Sequence, residues 1–215
     1  MKPDNPTIGI ARAQNFDISA YKDMLLKLNA VVQIIDSEEI ISASDEIEKI
    51  NALLLPDDFN DSNSEQKKCD LLSVALEKQI PILGIGSGMH ILNVSFGGSI
   101  SDISIENDHY ADSEDKSVNY HRIFISPGSR LSMTLGSGGF VRVNSNHRKC
   151  IRESSKAQKL MSTAWGLDDG IIEAVESPVH DWVLGVQFLP QRRGEMPPHF
   201  DKLFNILVEK AKSTI

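Results

Sequence analysis

At 215 residues, with 40% hydrophobic and 24% charged side chains, the chain has the composition of a globular protein long enough to bury a sizeable core. Its 30 acidic residues against 22 basic ones leave a formal net charge of −8, which argues against nucleic acid or an anionic membrane surface as a partner. Basic residues are scattered, and pairs such as Arg148-Lys149 and Arg192-Arg193 are too short to form a binding stripe.

Thr7–Ala11, TIGIA, is a short apolar run of the kind that forms a buried strand. The stretch DISAYKDMLLKLNA then repeats apolar residues at helical spacing through Tyr21, Met24, Leu25 and Leu28. Val31–Asp36 and Ala52–Pro56 read as the second and third strands, and SASDEIEKI between them as a short helix capped by Ser or Asp. Ser64–Gln79 is helical, PILGI a fourth strand, and GMHILNVSFGG a helix ending at a glycine pair. This alternation predicts a parallel sheet with helices on both faces.

After residue 100 the rhythm changes. YHRIFIS, GFVRVNSN, QKLMSTAWG, GIIEAVES and WVLGVQF are short strands separated by turn residues, mostly without helices. The acidic stretch Ser104–Ser117 reads as an exposed, mobile loop. A closing helix in PPHFDKLFNILVEKAKS presents Phe200, Leu203, Phe204, Ile206 and Leu207 on one face. No repeat or low-complexity linker interrupts the chain, so residues 1–215 read as one α/β domain. Its expected form is three-layered, with a mostly parallel central sheet flanked by helices and a strand-rich second half. The start lacks the apolar core of a signal peptide and no run approaches the roughly 18 apolar residues of a membrane span, so a cytoplasmic location is expected. Cys69 and Cys150 lie far apart without metal-ligand spacing and read as reduced thiols, Cys150 half-buried.

Pro81–Leu92, PILGIGSGMHIL, has the strand–turn–helix layout that lifts a catalytic nucleophile into a cleft. The residue at its apex, Gly86, has no side chain. Ser87 follows one position later, turned by about 100° along the helix, so its hydroxyl reads as a helix cap or a water ligand. His90, about one turn on, reads as a packed histidine. The same glycines suggest a phosphate cradle at a helix N-terminus, yet the spacing is not G-x-G-x-x-G and no Gly-Lys-Ser/Thr follows.

Three segments in order carry a family resemblance: PILGIGSGMHILNVSFGG, FVRVNSNHRKCI and DDGIIEAVESPVHDWVLGVQFLPQ. Together they resemble the class I glutamine amidotransferase-like proteins, in their γ-glutamyl hydrolase branch, which includes the γ-glutamyl-γ-aminobutyrate hydrolases. The first is similar to the nucleophile elbow. The second is similar to a Val-Asn-Ser-x-His-His-Gln segment, and the third to Asp-Gly-x-Ile-Glu-Ala followed by Gly-Val-Gln-Trp-His-Pro-Glu. NALLLPDDFND falls where that branch has a Pro-Gly-Gly turn, and the resemblance runs from about Pro6 to the last helix. It implies the flavodoxin-like fold of the superfamily.

The resemblance also implies a Cys-His-Glu triad that splits γ-glutamyl amides. The Cys attacks the carbonyl, the His moves the proton, the Glu orients the His, and backbone N–H groups hold the oxyanion. Matched position by position, this chain has Gly86 for the nucleophile, Leu189 for the base and Gln191 for the orienting acid. The oxyanion turn falls at Asp57-Asp58, and Arg148 replaces the second His of the pair, leaving His147. Without nucleophile, base and orienter no covalent route remains, and two carboxylates would oppose a developing negative charge.

The expectation is therefore a catalytically degenerate, ligand-binding or regulatory protein with no cofactor and no metal. Its cleft at the carboxyl ends of the strands would include Pro56, Asp57, Asp58, Gly86, Ser87, His147 and Leu189. It would hold a small-molecule ligand or pair with a partner enzyme, and self-association stays open. The alternative is an active hydrolase of γ-glutamyl amide bonds using relocated residues, Ser87, His90 and His147. A third reading fills the cleft with the chain's own side chains. Asp57-Asp58 reads as a solvated turn, with a cation or cationic ligand as the second choice.

Overall fold

The computed structural model describes residues 5–58, 62–103 and 118–214. Its first half alternates β1 (Thr7–Arg12), α1 (Ser19–Lys27), β2 (Val31–Asp36), α2 (Ala43–Ile47), β3 (Ala52–Leu55), α3 (Ser62–Glu77), β4 (Ile82–Ile85) and α4 (Ser87–Ser95). The second half runs β5 (Ser101–Asp102), β6 (Asn119–Ile125), α5 (Arg130–Leu135), β7 (Gly139–Ser145) and β8 (Lys149–Cys150). It continues through β9 (Met161–Gly166), β10 (Ile172–Glu176) and β11 (Val183–Val186), then a 3-10 turn, Pro198–Asp201, and α6 (Lys202–Lys212).

Nine strands form one sheet in the order β2-β1-β3-β4-β11-β10-β9-β6-β7. The first five are mutually parallel. The remaining pairings are antiparallel, which turns β10 and β6 against the rest and brings β9 and β7 back. Most strands thus share one direction, as the strand–helix rhythm predicts. The late strand β11 inserts beside β4, with Val183–Val186 in register with Ile82–Ile85.

Consecutive residues of the central strands point to opposite layers. Leu54, Leu83 and Leu184 join Ile8, Ile10, Leu25, Leu203 and Phe204 in a core under α1 and α6. Leu53, Leu55, Ile82 and Val183 join Leu71, Leu72, Met89 and Leu92 under α3 and α4. This is why those strands read as continuous apolar runs: both of their faces are covered.

The structure adds three things to the sequence reading. A helix, α5, interrupts the strand-rich half, its first turn capped by the Ser129 hydroxyl, which accepts the Ser132 N–H at 3.0 Å. β5 and β8 form a separate two-residue ribbon. Both cysteines are free, and Cys150 is fully buried rather than half-buried. The Ser104–Ser117 stretch lies outside the described residues. Among those residues no helix is long and apolar enough to cross a membrane.

Candidate functional site

The carboxyl ends of β3, β4 and β11 lie side by side in the middle of the sheet, and the elbow follows β4 between the other two. Gly86 has φ 55° and ψ −115°, a conformation that strains any residue with a Cβ. Its N–H donates to the Val186 carbonyl at 2.8 Å, fastening the apex to β11. Two residues on, Gly88 lies so close to β3 that a Cβ there would run into the Leu55 carbonyl. That approach brings Pro56–Asp58 onto the first turn of α4.

Asp57 occupies the place from which a nucleophile would project. A side chain built on Gly86 would begin inside the Asp57 carboxylate. Its Oδ1 accepts the backbone N–H of Ser87 at 2.9 Å, and its own N–H donates to the Tyr21 hydroxyl at 3.0 Å. Burial pushes the Asp57 carboxyl above its usual range; the Ser87 N–H resists this, and the neighbouring Asp58 adds to it.

Asp58 corrects the reading of a solvated turn, for it is fully buried. The Lys68 ammonium of α3 donates to both of its oxygens at 2.6 Å, and the Ala13 N–H donates to Oδ2 at 2.5 Å. Burial draws the Lys68 pKa down, while the Asp58 carboxylate holds the proton in place. The pairing is possible because Lys68 lies on the inward face of α3, beside Leu71 and Leu72.

Ser87 is also held differently from the sequence reading. The cap on α4 comes from Asp57, and the Ser87 hydroxyl donates to the Asp58 carbonyl at 2.7 Å. His90 is buried, and its Nε2 pairs with the Gln187 amide oxygen at 2.7 Å; burial lowers its pKa to about 4. The hydroxyl and the imidazole that would form a relocated pair are thus each engaged elsewhere.

At the positions the resemblance matches to base and acid, Leu189 is buried among apolar side chains, and the buried Gln191 Oε1 accepts no hydrogen bond among the described residues. The Leu189 backbone is clamped on both sides by the Asn144 side chain, at 2.9 Å to its N–H and 3.1 Å to its carbonyl. His147 turns toward β10: Nδ1 donates to the Lys149 carbonyl at 3.1 Å, and Nε2 stands 3.7 Å from Glu173. His121 of β6 reaches the same carboxylate at 3.2 Å. Among the described residues these three, His121, His147 and Glu173, are grouped as metal ligands would be.

Asp58, Ser87, His90 and Lys149 line a cavity of about 50 Å³ beside the elbow, together with Glu65, Ile91 and Ile100. That volume holds one or two waters, far below the several hundred Å³ typical of a small-molecule site. Sequence reasoning missed Asn144, His121 and Glu173. Glu173 had a signal, an acid inside the apolar strand IIEAV, whereas nothing local marks His121.

Fold and elbow together define a class, the glutamine amidotransferase-like α/β proteins. A Thermoplasma acidophilum protein described as part of a GMP synthase superposes with a TM-score of 0.77, over 97% of this chain and 95% of its own, at 13% identity. Residues 22–191 match Peptidase C26, and the chain belongs to that family. It is 35% identical over 146 residues to a Schizosaccharomyces pombe protein named as a glutamine amidotransferase, covering 66% of this chain and 55% of that one. A γ-glutamyl-γ-aminobutyrate hydrolase of Escherichia coli is 30% identical over 129 residues, 56% of this chain and 50% of the hydrolase. The chain therefore spans about half the length of these two relatives.

Proposed function

We propose that this member of the Peptidase C26 family is catalytically degenerate and works by binding, as a ligand-binding or regulatory protein, rather than by splitting γ-glutamyl amides. One observation carries the reading: the Asp57 carboxylate accepts the Ser87 N–H and fills the space above Gly86. In an elbow of this kind the N–H after the nucleophile is an oxyanion donor. Here it is already spent on the Asp57 carboxyl oxygen, which stands where an oxyanion would have to sit. Gly86, Leu189 and Gln191 provide no nucleophile, base or orienting carboxylate behind it. The small volume beside Ser87 argues further that a γ-glutamyl group does not enter there. A partner enzyme is the favoured occupant of such a protein, since the fold is also that of the Thermoplasma acidophilum protein, which is described as one component of a GMP synthase.

Hydrolysis of glutamine and of a panel of γ-glutamyl amides, with Ser87→Ala in parallel, tests the reading. The expected result is no release above the blank for either protein. Turnover lost in Ser87→Ala would overturn it and make Ser87 a relocated nucleophile.

A further inference from the structure

We propose that His121, His147 and Glu173 form a binding site for a single divalent transition-metal ion of the zinc type. The three side chains come from β6, the turn after β7, and β10, and their ligand atoms all lie within 4.8 Å of one another. Glu173 is fully buried, and its Oε1 faces the His121 imidazole at 3.2 Å and the His147 imidazole at 3.7 Å. A carboxylate buried in this way is strongly disfavoured unless a positive charge meets it.

The two imidazoles supply the rest of the site. His147 Nδ1 faces a backbone carbonyl, so that nitrogen must carry the proton. In the neutral ring Nε2 then carries the lone pair, and it faces Glu173 from 3.7 Å. Fixing one ring nitrogen on a backbone carbonyl is the usual outer support of a metal-bound histidine. His121 Nε2 stands 3.2 Å from the same oxygen. Zinc bonds of about 2.0–2.2 Å at tetrahedral angles place ligand atoms about 3.3 Å apart, and the two distances, 3.2 and 3.7 Å, bracket that spacing. A single proton between His121 and Glu173 bridges two of the three groups; a dication bridges all three. Two imidazoles and one carboxylate favour zinc and its neighbours over magnesium or calcium.

The site ties the strand-rich half to the cavity wall. The Lys149 carbonyl holds His147, and the Lys149 side chain lines the cavity beside Ser87. An ion would therefore fix the turn that carries Lys149. This inference stands apart from the proposed loss of hydrolysis, and neither depends on the other.

Untagged protein, stripped with a chelator, is titrated with Zn²⁺ by calorimetry and with Co²⁺ by visible absorption. The expected result is one ion per chain, a tetrahedral cobalt spectrum without a thiolate charge-transfer band, and a raised melting temperature. Glu173→Gln and His121→Gln should each weaken Zn²⁺ binding by at least about 100-fold, and Cys69→Ser/Cys150→Ser should leave it unchanged. Glu173 is fully buried, so if its variant fails to fold, the slightly exposed His121 decides. No binding by the natural protein, or His121→Gln binding as tightly as it does, would overturn the proposal.

Discussion

Asp57 places a resident carboxyl oxygen on the N–H that follows the apex of the elbow. The backbone is matched to this, because Gly86 at φ 55° leaves the carboxylate its room. Restoring a side chain there should therefore be costly twice over. Gly86→Cys is expected to lose about 1–3 kcal/mol to backbone strain and about 1 kcal/mol to the displaced cap. Asp57→Gly should return part of that loss when combined with it, since the two residues compete for one volume. Urea unfolding of the two single variants and the double variant measures the coupling. Equal stability of Gly86→Cys and the natural protein would contradict the account. The elbow was legible from sequence because its strand–turn–helix sits inside one recognisable segment. The role of Asp57 was not, since nothing in NALLLPDDFND tells that its turn folds onto an elbow 30 residues away.

Between elements, the Asp58–Lys68 pair is the main polar fastening beside the elbow. It joins the end of β3 to α3, and through the Ala13 N–H to the end of β1. Both side chains are fully buried, so the attraction is not screened by water. Lys68→Met keeps the stem's packing but removes the charge that answers Asp58. A loss of about 3–5 kcal/mol is expected, read as a shift in the urea midpoint with little change in slope. A loss under about 1 kcal/mol would place the pair among weak surface bridges. The elements themselves were largely legible. Apolar runs such as ALLL and PILGI announce strands covered on both faces, and Tyr21, Met24 and Leu25 announce the inner face of α1. α5 escaped because RLSMTL is a short run whose helix depends on the Ser129 cap and on burial of Leu131 and Leu135. The insertion of β11 beside β4 is a long-range pairing that no local pattern carries.

For the whole molecule, the pH dependence of folding follows from what is buried neutral. His90 has a pKa of about 4 in the folded chain, chiefly because burial disfavours the imidazolium, against an ordinary value of 6.5. Above pH 6.5 neither folded nor unfolded chain binds a proton there, and the contribution to stability is complete. As pH falls from 6.5 towards 4, the unfolded chain takes up the proton and the folded chain does not, so stability is lost across that window. The full effect is about 3 kcal/mol, from roughly 2.5 pH units at 1.36 kcal/mol each. Other groups, Asp57 and Glu176 among them, are shifted in the opposite sense, because burial raises their carboxyl pKa values. The His90 share must therefore be read as a difference between two proteins. His90→Gln retains a polar partner for Gln187 but does not titrate, so its stability curve should be flatter between pH 7 and 4. The gap between natural protein and variant should narrow, or reverse, by about 3 kcal/mol over that range. Parallel curves would mean that His90 takes up its proton in the folded chain as readily as in water, and that burial does not keep it neutral.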